Sequence, residues 1–373
     1  MTDAPAPAPA GLPLRPELRG LEPYGAPQLH VPVLLNVNEN PYPPSATVVA
    51  DIAAAVADAA AGLNRYPDRD FAPLRADLAG YLAQESGVTL TAEQVWAANG
   101  SNEVMLHLLQ AFGGPGRTAL SFAPTYSMYP EYARDTSTRW VVGHRAEDFT
   151  LDVEHALAAI AEEKPSVVLL ASPNNPTGTA LSLAAVQAVL DAAAEVPGVC
   201  VVVVDEAYGE FRRTGTPSAL QLLDRSPHLA VSRTMSKAFG LAGARLGYLA
   251  AAPALVDALR VVRLPYHLSA VTQAVARAAL AHSAELMAQV AGLREERDAT
   301  VAWLRGRGLT VADTDANFVL FGMFDDRHAI WQGLLDRGVL IREVGPPGWL
   351  RVSIGTPSEM VAFQDALVEV AAL

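Results

Sequence analysis

Short apolar runs alternate with helical stretches along this sequence from about residue 45 onward. The runs are rich in Val, Leu and Ala, and they span residues 118–122, 140–142, 167–171, 199–204, 229–231 and 246–251. Continuous apolar strands separated by helices are typical of a mostly parallel sheet with helices on both faces. The sequence therefore predicts an α/β fold built on a mostly parallel central sheet.

The pattern changes after about residue 265, where a long helical stretch (285–305) leads into shorter predicted strands at 317–321, 339–342 and 350–354 and a last helix at 357–371. At 373 residues the chain is long enough for two domains of unequal size. We therefore expect an N-terminal arm (1–44), a large domain (45–265) and a smaller C-terminal α/β domain (266–373). Residues 1–16 are rich in Ala and Pro, and we expect them to be disordered.

Composition excludes several classes of partner. The formal net charge of −13 argues against nucleic acid. The one cysteine, Cys200, lies in an apolar run, which suits a buried thiol in a reducing cytoplasm better than a disulfide. The N-terminus lacks the basic and apolar segments of a signal peptide, and no uncharged, proline-free apolar run reaches the roughly 18 residues of a membrane span. We therefore expect a cytoplasmic protein with neither a nucleic-acid nor a membrane partner.

Lysine is rare in this chain, and one of its lysines lies in a turn rich in small residues. Among 27 Lys and Arg residues only Lys164 and Lys237 are lysines. A desolvated lysine can lose its proton and attack a carbonyl, which arginine cannot do. Hydroxyls at Thr234 and Ser236 and the guanidinium of Arg245 could hold a phosphate beside the amine. The pattern indicates a pyridoxal phosphate Schiff-base site, although it leaves open that Lys237 is a surface residue of a polar loop.

Polar residues also follow two neighbouring predicted strands, at the edge where open α/β sheets bind ligands. Asn175 lies in a loop made rigid by two prolines and a glycine after residues 167–171. Asp205 follows the apolar run 199–204, where a carboxylate is costly unless it is paired. It could keep a pyridine nitrogen protonated. The alternatives are a simple turn at Asn175 and a helix cap at Asp205.

A second candidate phosphate site lies upstream, where residues 99–103 join a strand-like run to a helix. The amides of Ser101 and Asn102 would face a phosphate, and Gly100 would allow close approach. Tyr126 follows the run 118–122 and could stack on a planar ring. The alternatives are a helix cap at Ser101 or Asn102 and simple packing for Tyr126. Nucleotide-binding glycine motifs are absent, and the eight histidines lack metal-ligand spacing, so we expect no metal.

The series of motifs resembles the fold-type I pyridoxal-phosphate aminotransferases. The motifs are Asn-Pro-Thr-Gly at 175–178, Asp-Glu-Ala-Tyr at 205–208 and Ser-Lys-Ala-Phe-Gly-Leu-Ala-Gly-Ala-Arg at 236–245. More narrowly, residues 35–42, 64–68 and 99–103 are similar to the histidinol-phosphate aminotransferases. The resemblance runs from about Leu21 to the C-terminus, with every motif in order. It implies a large domain around the sheet and a smaller C-terminal domain.

The resemblance also implies roles for individual residues. Lys237 would carry pyridoxal 5'-phosphate as a Schiff base and move a proton between the substrate and the cofactor, with Asp205 on the pyridine nitrogen. Tyr208 would contact the ring oxygen together with Asn175. The implied cofactor-binding residues are Ser101, Asn102, Tyr126, Asn175, Asp205, Tyr208, Thr234, Ser236, Lys237, Arg245 and, from the other subunit of a homodimer, Tyr66.

Substrate binding is implied for four residues: Tyr24, Asn40, Arg342 and Arg351. Arg351 matches the arginine that takes the amino acid's carboxylate, whereas Arg342 and Tyr24 match positions that help to bind the substrate's phosphate. The loop 343–348 contains two prolines and departs from the family pattern, so the direction of Arg342 is open.

The implied reaction moves an amino group between histidinol phosphate and 2-oxoglutarate, giving imidazole acetol phosphate and glutamate. Two alternatives stay open. One is an aromatic amino acid aminotransferase of the same family, which shares the cofactor motifs. The other is a non-catalytic, cofactor-binding transcription regulator, which would need an N-terminal DNA-binding domain, whereas only about 40 residues precede the aminotransferase pattern.

Overall fold

The structure is a computed structural model that describes residues 12–373. Val31–Leu373 form one compact unit, and the described residues before them belong to a separate one, which contains a short 3-10 helix at Pro16–Leu18. Most of the lead-in that we expect to be disordered, residues 1–16, lies outside the described residues.

Helices and strands alternate through the larger unit. The helices are α1 (Ala46–Ala60), α2 (Ala72–Ser86), α3 (Ser101–Phe112), α4 (Tyr129–Asp135), α5 (Val153–Glu163), α6 (Leu183–Ala194), α7 (Pro253–Val262), α8 (Ala270–Ala281), α9 (Ser283–Gly306), α10 (Arg327–Asp336) and α11 (Pro357–Ala371). The strands are β1 (Val33–Leu34), β2 (Val95–Ala98), β3 (Thr118–Ala123), β4 (Arg139–His144), β5 (Val167–Ala171), β6 (Val201–Asp205), β7 (Leu229–Thr234), β8 (Gly247–Ala251), β9 (Thr310–Val311), β10 (Phe318–Gly322), β11 (Val339–Leu340) and β12 (Trp349–Ser353). Among the helices from residue 12 onward, none is long and apolar enough to cross a membrane.

The central sheet has seven strands in the order β2-β8-β7-β6-β5-β3-β4. Strand β8 is antiparallel to both of its neighbours, and all the other pairings are parallel. Every residue of β5, β6 and β7 is buried, which explains their runs of Val, Leu and Ala. The mostly parallel sheet predicted from the sequence is confirmed.

Helix ends follow local signals in the sequence. The hydroxyl of Ser182 accepts a hydrogen bond from the Ala185 amide at 3.1 Å at the start of α6. Thr356 and Glu359 form a capping box at the start of α11, whose first residue is Pro357. These caps satisfy amides that have no acceptor within the helix.

The C-terminal third forms two smaller sheets. Strands β12, β10 and β9 form an antiparallel sheet, and β1 pairs in parallel with β11. An isolated antiparallel bridge joins Arg342 to Arg351. Residues 33–34 are therefore hydrogen-bonded to a strand close to the C-terminus. The boundaries at 44/45 and 265/266 stay predictions.

Trp96, His107 and His267 form an aromatic cluster near the start of α3. The Trp96 indole donates to Nδ1 of His107 at 3.3 Å and stacks on His267, with ring centroids 5.3 Å apart. Burial lowers the pKa of His107 to about 4, so its ring is neutral and can accept that hydrogen bond at neutral pH. Asn99 donates to the His267 carbonyl at 2.9 Å, which ties the turn before α3 to the cluster.

Candidate active site

Three polar side chains follow or end neighbouring strands of the central sheet. The register places Ala171 of β5 opposite Asp205 and Asp205 opposite Ser232 of β7. Asn175 follows β5, Asp205 ends β6 and Lys237 follows β7. The structure therefore brings these residues to one carboxyl edge, where ligands bind in open α/β sheets.

Asp205 is a buried carboxylate held by two donors. Its Oδ2 accepts from the Tyr129 hydroxyl at 3.0 Å, and its Oδ1 accepts from the Ala207 amide at 3.2 Å. Burial raises the pKa of Asp205 to about 6, although both hydrogen bonds act to lower it. The 3-10 turn that follows has Tyr208, not Asp205, at its cap position. A cationic group beside Asp205 would offset the unfavourable burial of its charge.

The Lys237 amine is enclosed and points back toward the N-terminal part of the larger unit. Nζ donates to the Val37 carbonyl at 2.9 Å and lies 5.9 Å from the centroid of the Tyr208 ring. Burial lowers the pKa of Lys237 to about 8, and the positive charge of Arg351 adds to the effect. Lys164, in contrast, is an exposed residue at the C-terminal end of α5. Lys237 is therefore the better nucleophile of the two lysines.

A tight cradle lies at the start of α3. Gly100 has a φ of 83°, and a Cβ atom there would lie 2.5 Å from Nη2 of Arg245. A Cβ atom on Gly247 would lie 2.1 Å from the Ser101 amide nitrogen. Gly247 therefore needs glycine because its backbone packs against that of Ser101, and the left-handed φ of Gly100 favours glycine there. The first-turn amides of α3, at Ser101 and Asn102, have no acceptor within the helix, and Arg245 adds positive charge beside them.

The turn that carries Lys237 is held by its own side chains. The Thr234 hydroxyl donates to the Leu246 carbonyl at 3.3 Å and accepts from the Ser236 amide at 3.1 Å. Arg245 donates to the Ala242 carbonyl at 3.0 Å and lies 3.5 Å from the Ser236 hydroxyl oxygen. Thr234 thus braces the turn, and its direct contact with a phosphate stays a prediction.

Aromatic rings border the edge of the sheet. Tyr126 lies edge to face with Tyr129, with centroids 5.5 Å apart, and its hydroxyl donates to Oδ1 of Asn102 at 3.4 Å. The Tyr208 hydroxyl accepts from the Asn38 side-chain amide at 2.9 Å. Tyr126 and Asn102 are thereby brought together from separate elements.

Arg351 reaches the same edge from the small antiparallel sheet. Its guanidinium donates to the Asn175 side-chain oxygen and, at 2.9 Å, to the Asn36 carbonyl. Arg342 lies directly opposite on the neighbouring segment, and the two residues exchange both backbone hydrogen bonds at 2.9 Å. Opposed residues of an antiparallel pair project to one face. The two arginines therefore share a face.

The remaining predicted residues are placed differently. Asn40 donates to the Ala238 carbonyl at 3.2 Å, beside the lysine turn. Tyr66 is 80% exposed and stacks on Tyr266, with centroids 4.5 Å apart. Tyr24 belongs to the N-terminal unit, and its role stays a prediction.

The donor set fits pyridoxal phosphate. The buried carboxylate of Asp205 suits a protonated ring nitrogen, because each charge offsets the burial of the other. The cradle with Arg245 suits a phosphate. The Lys237 amine, with its lowered pKa, suits an aldehyde.

Two groups at this edge were missed from the sequence. Tyr129 holds Asp205, and Asn38 holds Tyr208 from a backbone φ of 57°. Tyr129 lies three residues after Tyr126, and this spacing is the one signal in the sequence that could have drawn attention to it. Asn38 lies in the quoted stretch 35–42, and asparagine tolerates this left-handed conformation better than most residues do.

Comparison with known proteins agrees with this geometry. The family model described as "Aminotransferase class I and II" matches residues 31–367. A crystal structure of histidinol-phosphate aminotransferase from Sinorhizobium meliloti, in complex with pyridoxal-5'-phosphate, superposes with a TM-score of 0.79 at 26% identity, covering 92% of this chain and 91% of that one. The architecture is that of the fold-type I pyridoxal-phosphate transferases.

Curated relatives are more similar in sequence. Histidinol-phosphate aminotransferase 3 of Burkholderia lata is 64% identical over 97% of this chain and 96% of its own length. Histidinol-phosphate aminotransferase of Thermobifida fusca is 63% identical over 96% of this chain and 95% of its own length. The chain belongs to the class I and II aminotransferases and, within them, to the histidinol-phosphate aminotransferase family.

We expect the cofactor to attach to Lys237. With a pKa of about 8, half of the amine is neutral near pH 8, and the neutral fraction rises through that pH and levels off well above it. The rate at which protein stripped of cofactor takes up pyridoxal phosphate should follow that curve. Borohydride reduction and peptide mapping should then place the pyridoxyl group on Lys237, including in a Lys164→Arg variant. A pyridoxyl group on Lys164 would overturn the site.

We expect Asp205→Asn to stay folded and loaded with cofactor but to lose several orders of magnitude in turnover, because an amide cannot balance a protonated ring nitrogen. Tyr129→Phe removes a hydrogen bond to a charged group, worth about 1.5–3 kcal/mol, and should lower turnover by roughly tenfold or more. Near-normal turnover in Asp205→Asn would reduce the carboxylate to a structural role.

Proposed function

We propose that this enzyme transfers an amino group between histidinol phosphate and 2-oxoglutarate, giving imidazole acetol phosphate and glutamate. The observation that carries the proposal is the shared face of Arg342 and Arg351 beside the predicted cofactor site. The names of the relatives at 63–64% identity support it. We place the enzyme in the cytoplasm, where the buried free thiol of Cys200 would stay reduced.

Pyridoxal 5'-phosphate is the proposed cofactor, and when bound it supplies a ring that withdraws electrons from the bond to be broken at the substrate's α-carbon. Asp205 holds the ring nitrogen and stays ionised through its two donors. Asn175 and Tyr208 orient the ring oxygen. The first-turn amides of α3, together with Arg245 and Ser236, hold the phosphate. The positions of Asn175 and Asp205 at the carboxyl edge of the sheet support these two roles.

Lys237 serves as both acid and base. Its amine takes a proton from the α-carbon and delivers it within the same site, since both half-reactions need one proton moved across one face. A pKa of about 8 keeps a useful fraction of the amine neutral near physiological pH. The Val37 carbonyl accepts a hydrogen bond from the amine when Lys237 is free.

The arginine pair accounts for two unlike substrates in one site. Histidinol phosphate carries a phosphate and no carboxylate, whereas glutamate carries two carboxylates. A guanidinium binds either anion through paired hydrogen bonds. The net charge of −13 repels both substrates, but salt screens that field beyond about 8 Å, so the nearby arginines dominate.

The decisive assay compares histidinol phosphate with phenylalanine as amino donor to 2-oxoglutarate. The proposal requires a higher kcat/KM for histidinol phosphate. A higher value for phenylalanine would replace it with the aromatic aminotransferase. Cofactor binding without turnover of either donor would favour the regulator.

Substitutions of the two arginines should separate the substrates. Arg342→Ala should raise the KM for histidinol phosphate by roughly tenfold or more, the equivalent of one lost charged hydrogen bond, and the KM for glutamate much less. Arg351→Ala should impair glutamate at least as strongly as histidinol phosphate. Arg305→Ala, which removes an exposed ion pair with Asp313, is the control. Equal, small effects of Arg342→Ala on both substrates would make Arg342 a solvent-facing residue.

We also propose that the active form is a homodimer in which Tyr66 reaches the phosphate site of the other subunit. Tyr66 is 80% exposed, and Leu63, Val261 and Leu264 are exposed by 54%, 83% and 75%. Exposed apolar side chains close in sequence to Tyr66 and to its stacking partner Tyr266 support coverage by a second copy.

Hybrid dimers test this shared site. Inactive Lys237→Ala protein mixed with an inactive Tyr66→Ala variant should regain activity, because one of the two sites in each hybrid is intact. Lys237→Ala mixed with Asp205→Asn should regain none. Each site takes both residues from a single subunit, so each site of the hybrid carries one of the two substitutions. If confirmed subunit exchange restores nothing in the first mixture, Tyr66 does not act across the dimer.

A further inference from the structure

The loop that follows Arg342, residues 343–348, is held by Arg327. Nε of Arg327 donates to the Glu343 carboxylate at 3.1 Å. Nη1 donates to the carbonyls of Gly345 at 3.2 Å and Pro346 at 2.9 Å. Arg327 is the first residue of α10, and its side chain is 28% exposed. One partly buried guanidinium thus ties three residues of the loop to the start of a helix.

Two more side chains of α10 hold the same segment. Nδ1 of His328 lies 3.0 Å from the other carboxylate oxygen of Glu343. The Trp331 indole donates to the Ile341 carbonyl at 2.9 Å, and its ring stacks on His328, with centroids 5.6 Å apart. The residues on either side of Arg342 are therefore both anchored to α10. We refer to Arg327, His328 and Trp331 as the α10 clamp.

The backbone of Arg342 is fixed as well. It exchanges two hydrogen bonds of 2.9 Å with Arg351, whose guanidinium is in turn held by Asn36 and Asn175. A guanidinium binds an anion more tightly when its backbone is already ordered, because less conformational entropy is lost on binding. The clamp supplies that order on both sides of Arg342.

We propose that Arg327 is a positioning residue that aims Arg342 at the substrate's phosphate. This inference rests on the proposed function, since it needs a phosphate-bearing substrate. Arg327 acts through Glu343 and the loop carbonyls, without touching the substrate. It therefore determines specificity for histidinol phosphate over glutamate rather than the rate of proton transfer at Lys237.

Arg327→Met tests the proposal, because it keeps much of the apolar stem and removes every donor. The KM for histidinol phosphate should rise roughly fivefold to tenfold, with a smaller change for glutamate and with kcat nearly unchanged. Arg337→Met is the matched control at the residue that follows α10, where Arg337 pairs with Glu369 at 2.8 Å. The control should leave both KM values as they are.

A double-mutant cycle separates action through Arg342 from a general effect on the fold. In an Arg342→Ala background, Arg327→Met should add nothing to the KM for histidinol phosphate. A full additive effect there, or an unchanged KM in the single variant, would overturn the proposal. Melting temperature and cofactor content are measured for each variant.

If Arg327→Met does not fold, Glu343→Gln decides, because it weakens the same tether and keeps the side-chain shape. It should then raise the KM for histidinol phosphate more than that for glutamate, and an unchanged KM would overturn the proposal. Failure of the proposed function is recognised separately. If the unmutated enzyme does not use histidinol phosphate, the proposed function is wrong, and the positioning role of Arg327 is wrong with it.

Discussion

A buried ion network behind the sheet edge holds the two strands that carry the chemistry. Arg233, fully buried in β7, contacts Glu206 at 2.8 Å and Glu210 at 3.0 Å. Arg212 adds a contact to Glu206 at 3.0 Å. Burial acts to raise the pKa of Glu206, but the two arginines and two hydrogen-bond donors bring it below its usual value. Removing one partner from such a network costs about 3–5 kcal/mol, because a charge is left buried without compensation.

The position of this network explains its importance. Glu206 is the residue after Asp205, and Arg233 precedes Thr234 at the start of the lysine turn. The ion pair therefore fixes the end of β6 against the end of β7. Gly209 completes the fit, since a Cβ atom there would lie 2.6 Å from Cζ of Arg233. The contacts of Glu206 with Arg233 and Arg212 therefore help to fix the positions of Asp205 and of the turn that carries Lys237.

Elements marked by apolar runs and local caps could be predicted closely from the sequence. The bounds of β5 and α11 match the expected ranges, because β5 is apolar throughout and Pro357 signals where α11 begins. Strand β7 was predicted to end at Val231 but continues through Ser232, Arg233 and Thr234. Arg233 and Thr234 extend that strand because tertiary partners satisfy their side chains, which an apolar pattern does not reveal.

The same limit applies to the site. Residues at strand ends were identifiable because the topology of a parallel sheet brings them together. The sequence did not reveal three other residues: Tyr129, Asn38 and Arg327. Each of them acts through its side chain on a residue that lies elsewhere in the sequence. Their hydrogen bonds depend on tertiary packing, which the spacing of residues along the sequence does not predict.

Three consecutive residues then join the small sheet to the large one. The Asn36 carbonyl accepts from Arg351, the Val37 carbonyl accepts from Lys237, and the Asn38 side chain donates to Tyr208. Asn38 is itself held by the Ser353 hydroxyl, which donates to its side-chain oxygen at 3.0 Å. A displacement of the small sheet would therefore change the hydrogen bonds of the Lys237 amine and of Tyr208. Anion binding at Arg351 and proton transfer at Lys237 therefore both depend on residues 36–38, because neighbouring carbonyls of this segment hold the two side chains.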